Sequence, residues 1–167
     1  RGCGHPSNGP DHDSTCFLFV LVAVEARERR EGRISGRGMD WSSEQDQALK
    51  AIARWLKDGG PQVFRLFGFA GTGKTTLARH LAEGIDGDVC FGAFTGKAAL
   101  VMRSKGCDGA STIHSMIYRP KRPPEDEEEE ETFSFALNRQ SEASKASLIV
   151  IDECSMVDEE LGKDLLS

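Results

Sequence analysis

Apolar residues beyond the N-terminal region follow two alternating patterns along the chain. Short runs of strand-forming residues occupy positions 63–67, 89–94 and 148–151. Between them, apolar residues at 75–83 and 97–105 recur at the three- and four-residue spacing of a helix. This alternation predicts an α/β domain whose parallel sheet is flanked by helices.

A helix before the first of these strands has recognisable ends. Ser42 and Gln45 stand three positions apart, which is the spacing of a capping box. An apolar stripe follows, and Gly59 and Pro61 end the helix. The stripe consists of Ala48, Leu49, Ile52, Ala53 and Leu56. Shorter helices are predicted at 112–118 and 158–166, and an edge strand at 133–137.

Residues 1–38 differ from the rest of the chain in composition and periodicity. They mix glycine, proline and arginine without a sustained period, so we expect a poorly ordered or non-native extension, with Met39 as the natural start. One run of nine apolar residues, at 16–24, interrupts this segment. Nine residues are too few to cross a bilayer, and no lysine or arginine precedes the run from Gly2 onwards as a secretory signal requires. We therefore predict no membrane partner.

An acidic and proline-rich stretch at 119–132 breaks the α/β pattern. Such a composition cannot contribute to a core, so the stretch is expected to be a solvated loop. Its seven consecutive acidic residues at 125–131 account for more than the whole formal charge of −6, which becomes +1 without them. The acidic balance of the chain therefore says little about affinity for nucleic acid.

The cysteines indicate a reducing compartment. There are five, an odd number, and none forms a Cys-x-x-Cys pair. This pattern argues against a zinc site and against a disulfide framework. We therefore expect a cytoplasmic protein.

A glycine-rich sequence between the predicted strand at 63–67 and the helix at 75–83 carries the strongest chemical signal. Residues 68–75 read Gly-Phe-Ala-Gly-Thr-Gly-Lys-Thr and fit the P-loop pattern G-x-x-x-x-G-K-[ST]. The glycines let backbone N–H groups turn towards phosphates, and the helix N-terminus adds a partial positive charge. Lys74 is expected to reach the β and γ phosphates, and Thr75 to ligate Mg²⁺. The remaining candidate contacts to the nucleoside triphosphate are Gly68, Ala70, Gly71, Thr72, Gly73 and Thr76.

Two carboxylates, Asp152 and Glu153, follow the apolar run 148–151. A run without polar positions predicts a strand buried on both faces, and ligands of open α/β sheets bind where such strands end. We assign Asp152 to Mg²⁺ binding and Glu153 to orienting or deprotonating the attacking water. A plain helix N-cap with an acidic first turn is the structural alternative.

Several segments, in order, resemble the N-terminal half of RecD-like DNA helicases of superfamily 1B, a RecA-like motor family. Residues 41–48 resemble its Q-type motif, 68–76 its motif I, and 152–156 its motif II, where the family often has alanine in place of Cys154. The resemblance implies a RecA-like P-loop NTPase fold, truncated after the Walker B strand, that binds ATP and Mg²⁺. It also implies that Gln45 reads the adenine edge; the alternative is that Gln45 only closes the capping box.

Two further segments are similar to the family's DNA-contacting motifs. Residues 94–99 look like motif Ia, and 111–115 look like the Thr-Ile-His segment that follows it. Hydroxyls, a lysine and helix-start amides suit contacts to a single-stranded DNA backbone without base reading. By this resemblance the DNA-binding residues would be Thr95, Lys97, Thr112 and His114; otherwise they are turn, surface and packing residues.

The resemblance implies an ATP-dependent DNA helicase that moves 5′ to 3′ on single-stranded DNA in repair, recombination or replication. Residues 39–167 would be a partial N-terminal ATPase domain, and the chain would lack the second RecA-like lobe with its arginine finger. Such a fragment is expected to bind ATP but not to unwind DNA. Two rival classes stay open. One is an AAA-type P-loop ATPase that remodels or loads without unwinding, and the other is a P-loop kinase or switch.

Overall fold

The computed structural model describes residues 16–23, 40–59, 61–69, 71–121 and 134–167. The strands are β1 (Cys16–Ala23), β2 (Val63–Phe69), β3 (Val89–Ala93), β4 (Ser111–Thr112), β5 (Tyr118–Pro120), β6 (Phe135–Leu137) and β7 (Leu148–Asp152). The helices are α1 (Ser43–Asp58), α2 (Lys74–Glu83), α3 (Gly96–Ser104), α4 (Ile113–Ile117) and α5 (Glu159–Leu166). Two 3₁₀ turns, Ala143–Lys145 and Cys154–Met156, flank β7.

The main sheet has the order β2-β1-β7-β3-β4. Strands β7, β3 and β4 pair in parallel, with α3 leading from β3 to β4. The predicted α/β class with a parallel sheet and flanking helices is therefore confirmed. The carboxyl ends of these three strands meet at one edge of the sheet, and this edge carries the candidate site.

Strand β1 pairs antiparallel with both β2 and β7, so it lies between the P-loop strand and the strand that carries Asp152. Its residues belong to the apolar run at 16–24 that the sequence placed in an N-terminal extension. The rest of residues 1–38, apart from β1, lies outside the described residues.

Helices cover both faces of β7. Leu148 and Val150 point into a core formed with α1, α2 and α3, whereas Ile149 and Ile151 point into a second core formed with α4 and α5. All four side chains are buried, which confirms the prediction of a strand covered on both sides. Each fully buried side chain of this size contributes about 1.5–3 kcal/mol through the hydrophobic effect.

Local sequence signals fix the ends of α1. Ser42 and Gln45 form the predicted capping box, and Gly59 ends the helix in the left-handed conformation, with φ 71°. Its apolar stripe buries Leu49, Ile52 and Trp55. Outside the main sheet, β5 and β6 pair as a small antiparallel ribbon. Residues 122–133, which include the acidic run, lie outside the described residues.

Candidate functional site

The P-loop joins β2 to the first turn of α2, as its sequence predicts. Gly71 and Gly73 have φ values of 78° and 80°, a region that side-chain-bearing residues rarely occupy. The loop can therefore take the curvature that turns successive N–H groups towards an anion. Lys74 and Thr75 begin α2, so the helix N-terminus faces the same place. Ala70 lies outside the described residues.

The Lys74 ammonium group lies inside the loop. Its Nζ donates hydrogen bonds to the carbonyl oxygens of Gly68 at 2.8 Å and Phe69 at 2.6 Å. The Thr72 hydroxyl also donates to the Phe69 carbonyl, at 2.9 Å. The cation is thus held by backbone oxygens of the loop, and an arriving phosphate would replace those oxygens as its partner. Thr75, the candidate Mg²⁺ ligand, is buried at the start of α2, beside Thr76.

Gln45 connects the start of α1 to the P-loop. Its Oε1 accepts a hydrogen bond from the Ser42 backbone N–H at 3.0 Å, and its Nε2 donates to the Thr72 carbonyl at 3.0 Å. The fit is close, because a Cβ added at Gly73 would lie 2.7 Å from Nε2. The capping-box role is therefore present. The amide nitrogen has a second hydrogen and the amide oxygen a second lone pair, so adenine reading stays a prediction.

Asp152 and Glu153 stand at the carboxyl end of β7. Asp152 Oδ1 accepts a hydrogen bond from the Glu153 N–H at 2.9 Å. Partial burial raises the pKa of Asp152, and the neighbouring Glu153 charge raises it further, although the backbone hydrogen bond and Lys74 oppose both. Glu153 has a φ of 56° and is the only described non-glycine residue in the left-handed region.

The helix N-cap alternative for this pair does not match the structure. Asp158 caps α5 instead, since its Oδ1 accepts a hydrogen bond from the Leu161 N–H at 2.8 Å. The Asp152 carboxylate is thus left at the sheet edge, where a cation can reach it. Among the described residues no three histidine, cysteine or acidic side chains cluster as a metal site. One hydroxyl and one carboxylate are nevertheless a sufficient protein share for Mg²⁺, which keeps waters and takes phosphate oxygens.

The four candidate DNA-binding residues lie at the ends of β3 and β4. The Thr95 hydroxyl accepts from the Ala98 N–H at 3.2 Å and caps α3, and the Thr112 hydroxyl accepts from the Ser115 N–H at 3.2 Å and caps α4. Each hydroxyl therefore orients a helix start. Lys97 is exposed in the first turn of α3, which favours an anion partner outside the protein.

His114 belongs to an aromatic row that the sequence did not reveal. The ring of this exposed residue lies 6.4 Å from the Phe94 ring at 73°, and 5.7 Å from the Tyr118 ring at 42°. His114 lies in α4 and Tyr118 directly follows that helix, whereas Phe94 follows β3, far away in the chain. The tertiary structure therefore adds Phe94 to the row.

The sheet register brings the two groups of candidates to one edge. Ala93, at the end of β3, pairs with Thr112 on one side and with Asp152 on the other. The residues that follow these three positions therefore emerge side by side. The nucleotide candidates of the P-loop lie further along the same sheet, at the end of β2.

Comparison with known families gives one match. A family model described as AAA domain matches residues 40–167, which is most of the chain. No curated protein and no solved structure matches the chain. Within the described part of the chain, no helix is both long and apolar enough to span a membrane.

Proposed function

Because the chain belongs to the AAA domain family of P-loop nucleoside triphosphatases, we propose that it is the ATP-binding lobe of a motor that acts on single-stranded DNA, as a DNA helicase does. The observation that carries the proposal is the common sheet edge, where Ala93 has Thr112 and Asp152 as its neighbours on either side. A nucleic-acid strand held by Thr112 would be separated only by β3 from β7, which carries the candidate catalytic carboxylates. Such proximity suits a protein in which hydrolysis and strand binding affect each other.

The nucleotide site assigns a separate task to each polar side chain. The amides of the loop and of the α2 N-terminus would bind the triphosphate, and the Lys74 ammonium would leave the Gly68 and Phe69 carbonyls for the β and γ oxygens. Thr75 and Asp152 would hold Mg²⁺. When bound, this ion neutralises charge that develops on the transferred phosphoryl group.

In this proposal Glu153 would act on water rather than on the metal. Its backbone N–H donates to Asp152, and its backbone is left-handed at the end of β7. A carboxylate in this position can accept a proton from the attacking water or orient it. The bond to Asp152 and the left-handed residue after it support separate roles for the two acids.

The DNA site uses groups that bind phosphate without reading bases. The Thr95 hydroxyl accepts a helix N–H group and keeps its hydrogen for donation, whereas the Thr112 hydroxyl, which also contacts the Ser115 hydroxyl at 2.7 Å, positions the start of α4. Lys97 supplies an exposed positive charge, and the His114 ring offers a flat surface for a base. Binding of this kind depends on the backbone and on stacking, so it would be independent of sequence and sensitive to salt.

Binding titrations on this chain test the proposal. Fluorescent ATP should bind with Mg²⁺, and Lys74→Ala should abolish that binding. Labelled single-stranded DNA should bind at low salt, and Lys97→Ala should weaken it and reduce the salt dependence by about 0.7 in log–log slope. Lys163→Ala is the matched control, because Lys163 is an exposed lysine on α5 that pairs only with Glu159 at the surface.

The hydrolysis rate, measured with and without single-stranded DNA, distinguishes the remaining classes. If DNA stimulates hydrolysis and this stimulation disappears in Lys97→Ala, the result supports a DNA motor. The expected direction of its movement is 5′ to 3′. A DNA-indifferent rate that still requires Lys74 would contradict it and favour an AAA-type ATPase that remodels or loads without unwinding.

A further inference from the structure

A polar contact links the candidate DNA surface to the helix that follows the catalytic carboxylates. The Tyr118 hydroxyl donates a hydrogen bond to the Asp164 carboxylate, 46 residues further along the chain. Tyr118 lies directly after α4, and Asp164 lies in the last turn of α5. Hydrogen bonds from a hydroxyl to a carboxylate are short and among the strong ones in proteins.

One end of this contact borders the candidate DNA surface, and the other lies on the helix that follows Glu153. On the DNA side, the Tyr118 ring contacts the His114 ring at a centroid distance of 5.7 Å. On the nucleotide side, α5 starts at its Asp158 cap, only five residues beyond Glu153. The connecting segment is a 3₁₀ turn, so it has little slack with which to absorb a displacement of α5.

The backbone at Glu153 is the part of the nucleotide site that a shift of α5 would affect first. A non-glycine residue at φ 56° persists only where its surroundings hold it there. Cys154, directly after Glu153, and Leu161 of α5 belong to the same apolar cluster as Ile117 and Tyr118. The segment after the left-handed residue, helix α5 and the end of α4 are therefore packed in one cluster.

We propose that Tyr118 is a positioning residue that couples the nucleotide site to the DNA surface through its bond to Asp164. This inference rests on the proposed function. In this arrangement, ordering of Asp152 and Glu153 by nucleotide and Mg²⁺ fixes α5, and the Tyr118 hydroxyl transmits that ordering to α4 and His114. The reciprocal effect follows by linkage, so DNA bound at His114 favours the ordered nucleotide site.

The chemistry of the pair suits a permanent link. Donation to Asp164 is the main reason why the pKa of Tyr118 is raised to about 12, and partial burial adds to it. The phenol therefore stays protonated and able to donate throughout the neutral range. The apolar packing of α4 against α5 holds the helices together, whereas the single directional bond sets their register.

Two conservative variants separate coupling from simple stability. Tyr118→Phe keeps the aromatic ring beside His114 and removes only the hydroxyl. Asp164→Asn keeps the shape of the acceptor and removes its charge. Asp164→Asn should weaken the coupling, and the double variant should lose no more coupling than Tyr118→Phe alone, because the contact is already absent once the hydroxyl is removed. Lys163→Ala is the control, since it changes the same helix at an exposed position.

The test is amide hydrogen exchange of residues 113–118 with and without adenylyl-imidodiphosphate and Mg²⁺. In the unsubstituted chain, the nucleotide should slow this exchange by at least roughly fivefold, the lower range of measured couplings. In Tyr118→Phe the slowing should vanish, while nucleotide affinity stays within about twofold, as for a surface substitution. If Tyr118 had a purely structural role, Tyr118→Phe would lower stability but leave unchanged the ratio of exchange rates with and without nucleotide.

Two outcomes would overturn the link, namely no nucleotide effect on residues 113–118 in the unsubstituted chain, or the same effect in Tyr118→Phe. Neither depends on DNA. Titration with single-stranded DNA, performed separately, decides the proposed function. If the chain binds no DNA but Tyr118→Phe abolishes the exchange effect, the link stands as a connection between the nucleotide site and this surface while the DNA-motor proposal fails.

Discussion

Glu153 offers a sharp test of how the turn after β7 is built, because its left-handed backbone should reverse the usual stability order of alanine and glycine. Glu153 has φ 56° and ψ 38°. A left-handed conformation costs an L-residue about 1–2 kcal/mol, which glycine avoids. Glycine loses about 0.4–1 kcal/mol through the greater entropy of its unfolded chain. Glu153→Gly should therefore be more stable than Glu153→Ala by about 0.8 kcal/mol.

Urea unfolding of the two variants measures this difference directly. With a denaturant slope of about 2 kcal/mol/M, the glycine midpoint should lie about 0.4 M above the alanine midpoint. Lys163 in α5 provides the control pair, because glycine should be the less stable substitution by about 1 kcal/mol at an exposed helical position. An alanine variant as stable as the glycine variant at position 153 would show that the turn is not left-handed.

The same pair of variants separates strain from catalysis. Both remove the carboxylate, so both should lose hydrolysis by roughly 10²–10⁴ if Glu153 acts on the attacking water. Nucleotide affinity should be retained, because Lys74 and Thr75 remain. If the two variants lose the same hydrolysis rate but differ in stability, the loss of rate comes from the missing carboxylate and the difference in stability comes from the backbone conformation. Unimpaired hydrolysis in both variants would remove Glu153 from the mechanism.

Three further predictions concern other described positions. Gly87→Ala should destabilise the fold by about 1–3 kcal/mol in urea unfolding, because its φ is 118° and a Cβ would lie 2.2 Å from the Ser147 hydroxyl oxygen. Gly96→Ala should be neutral or stabilising, because no atom lies within 4 Å of a Cβ added there. Equal changes in stability for Gly87→Ala and Gly96→Ala would contradict the difference in space between the two positions. Burial raises the pKa of Asp152, so its contribution to stability is greatest below the ordinary carboxyl pKa and is lost as the pH rises through the raised value. Asp152→Asn should therefore be more stable than the unsubstituted chain at neutral pH, and urea midpoints should converge as the pH falls into the carboxyl range; a constant difference would refute this. Cys107 is fully buried, and burial raises its pKa to about 11. Mass spectrometry should find it unalkylated by iodoacetamide at pH 8 until urea is added, and rapid labelling of the native protein would contradict its burial.

The helices and strands of the core were largely predictable, because local sequence specifies them. The capping box at Ser42 and the glycine at 59 set the limits of α1. The uninterrupted apolar run 148–151 required cover on both faces, and the structure provides two separate clusters. Predicted and observed ends differ by one or two residues at most of these elements, since the ends depend on caps that tertiary contacts adjust.

Strand pairing was less accessible from the sequence. The apolar run at 16–24 showed no turn or cap that would connect it to a particular partner, yet β1 lies between β2 and β7. The short strand at 135–137 pairs with β5 rather than with the main sheet. Pairing joins residues far apart in the chain, so no local pattern encodes it.

The sequence by itself determined the chemistry of this protein, because a P-loop is a contiguous motif in which spacing fixes which atoms face the phosphates. It likewise determined that two carboxylates end a buried strand, since the strand and the acids are adjacent in the chain. Only the tertiary structure decided that Gln45 joins α1 to the P-loop, that Glu153 is left-handed, and that Tyr118 reaches Asp164. The Gln45 and Tyr118 contacts join segments that are distant in sequence, and packing brings their atoms within bonding distance. The left-handed Glu153 is a local conformation that no motif in the sequence marked.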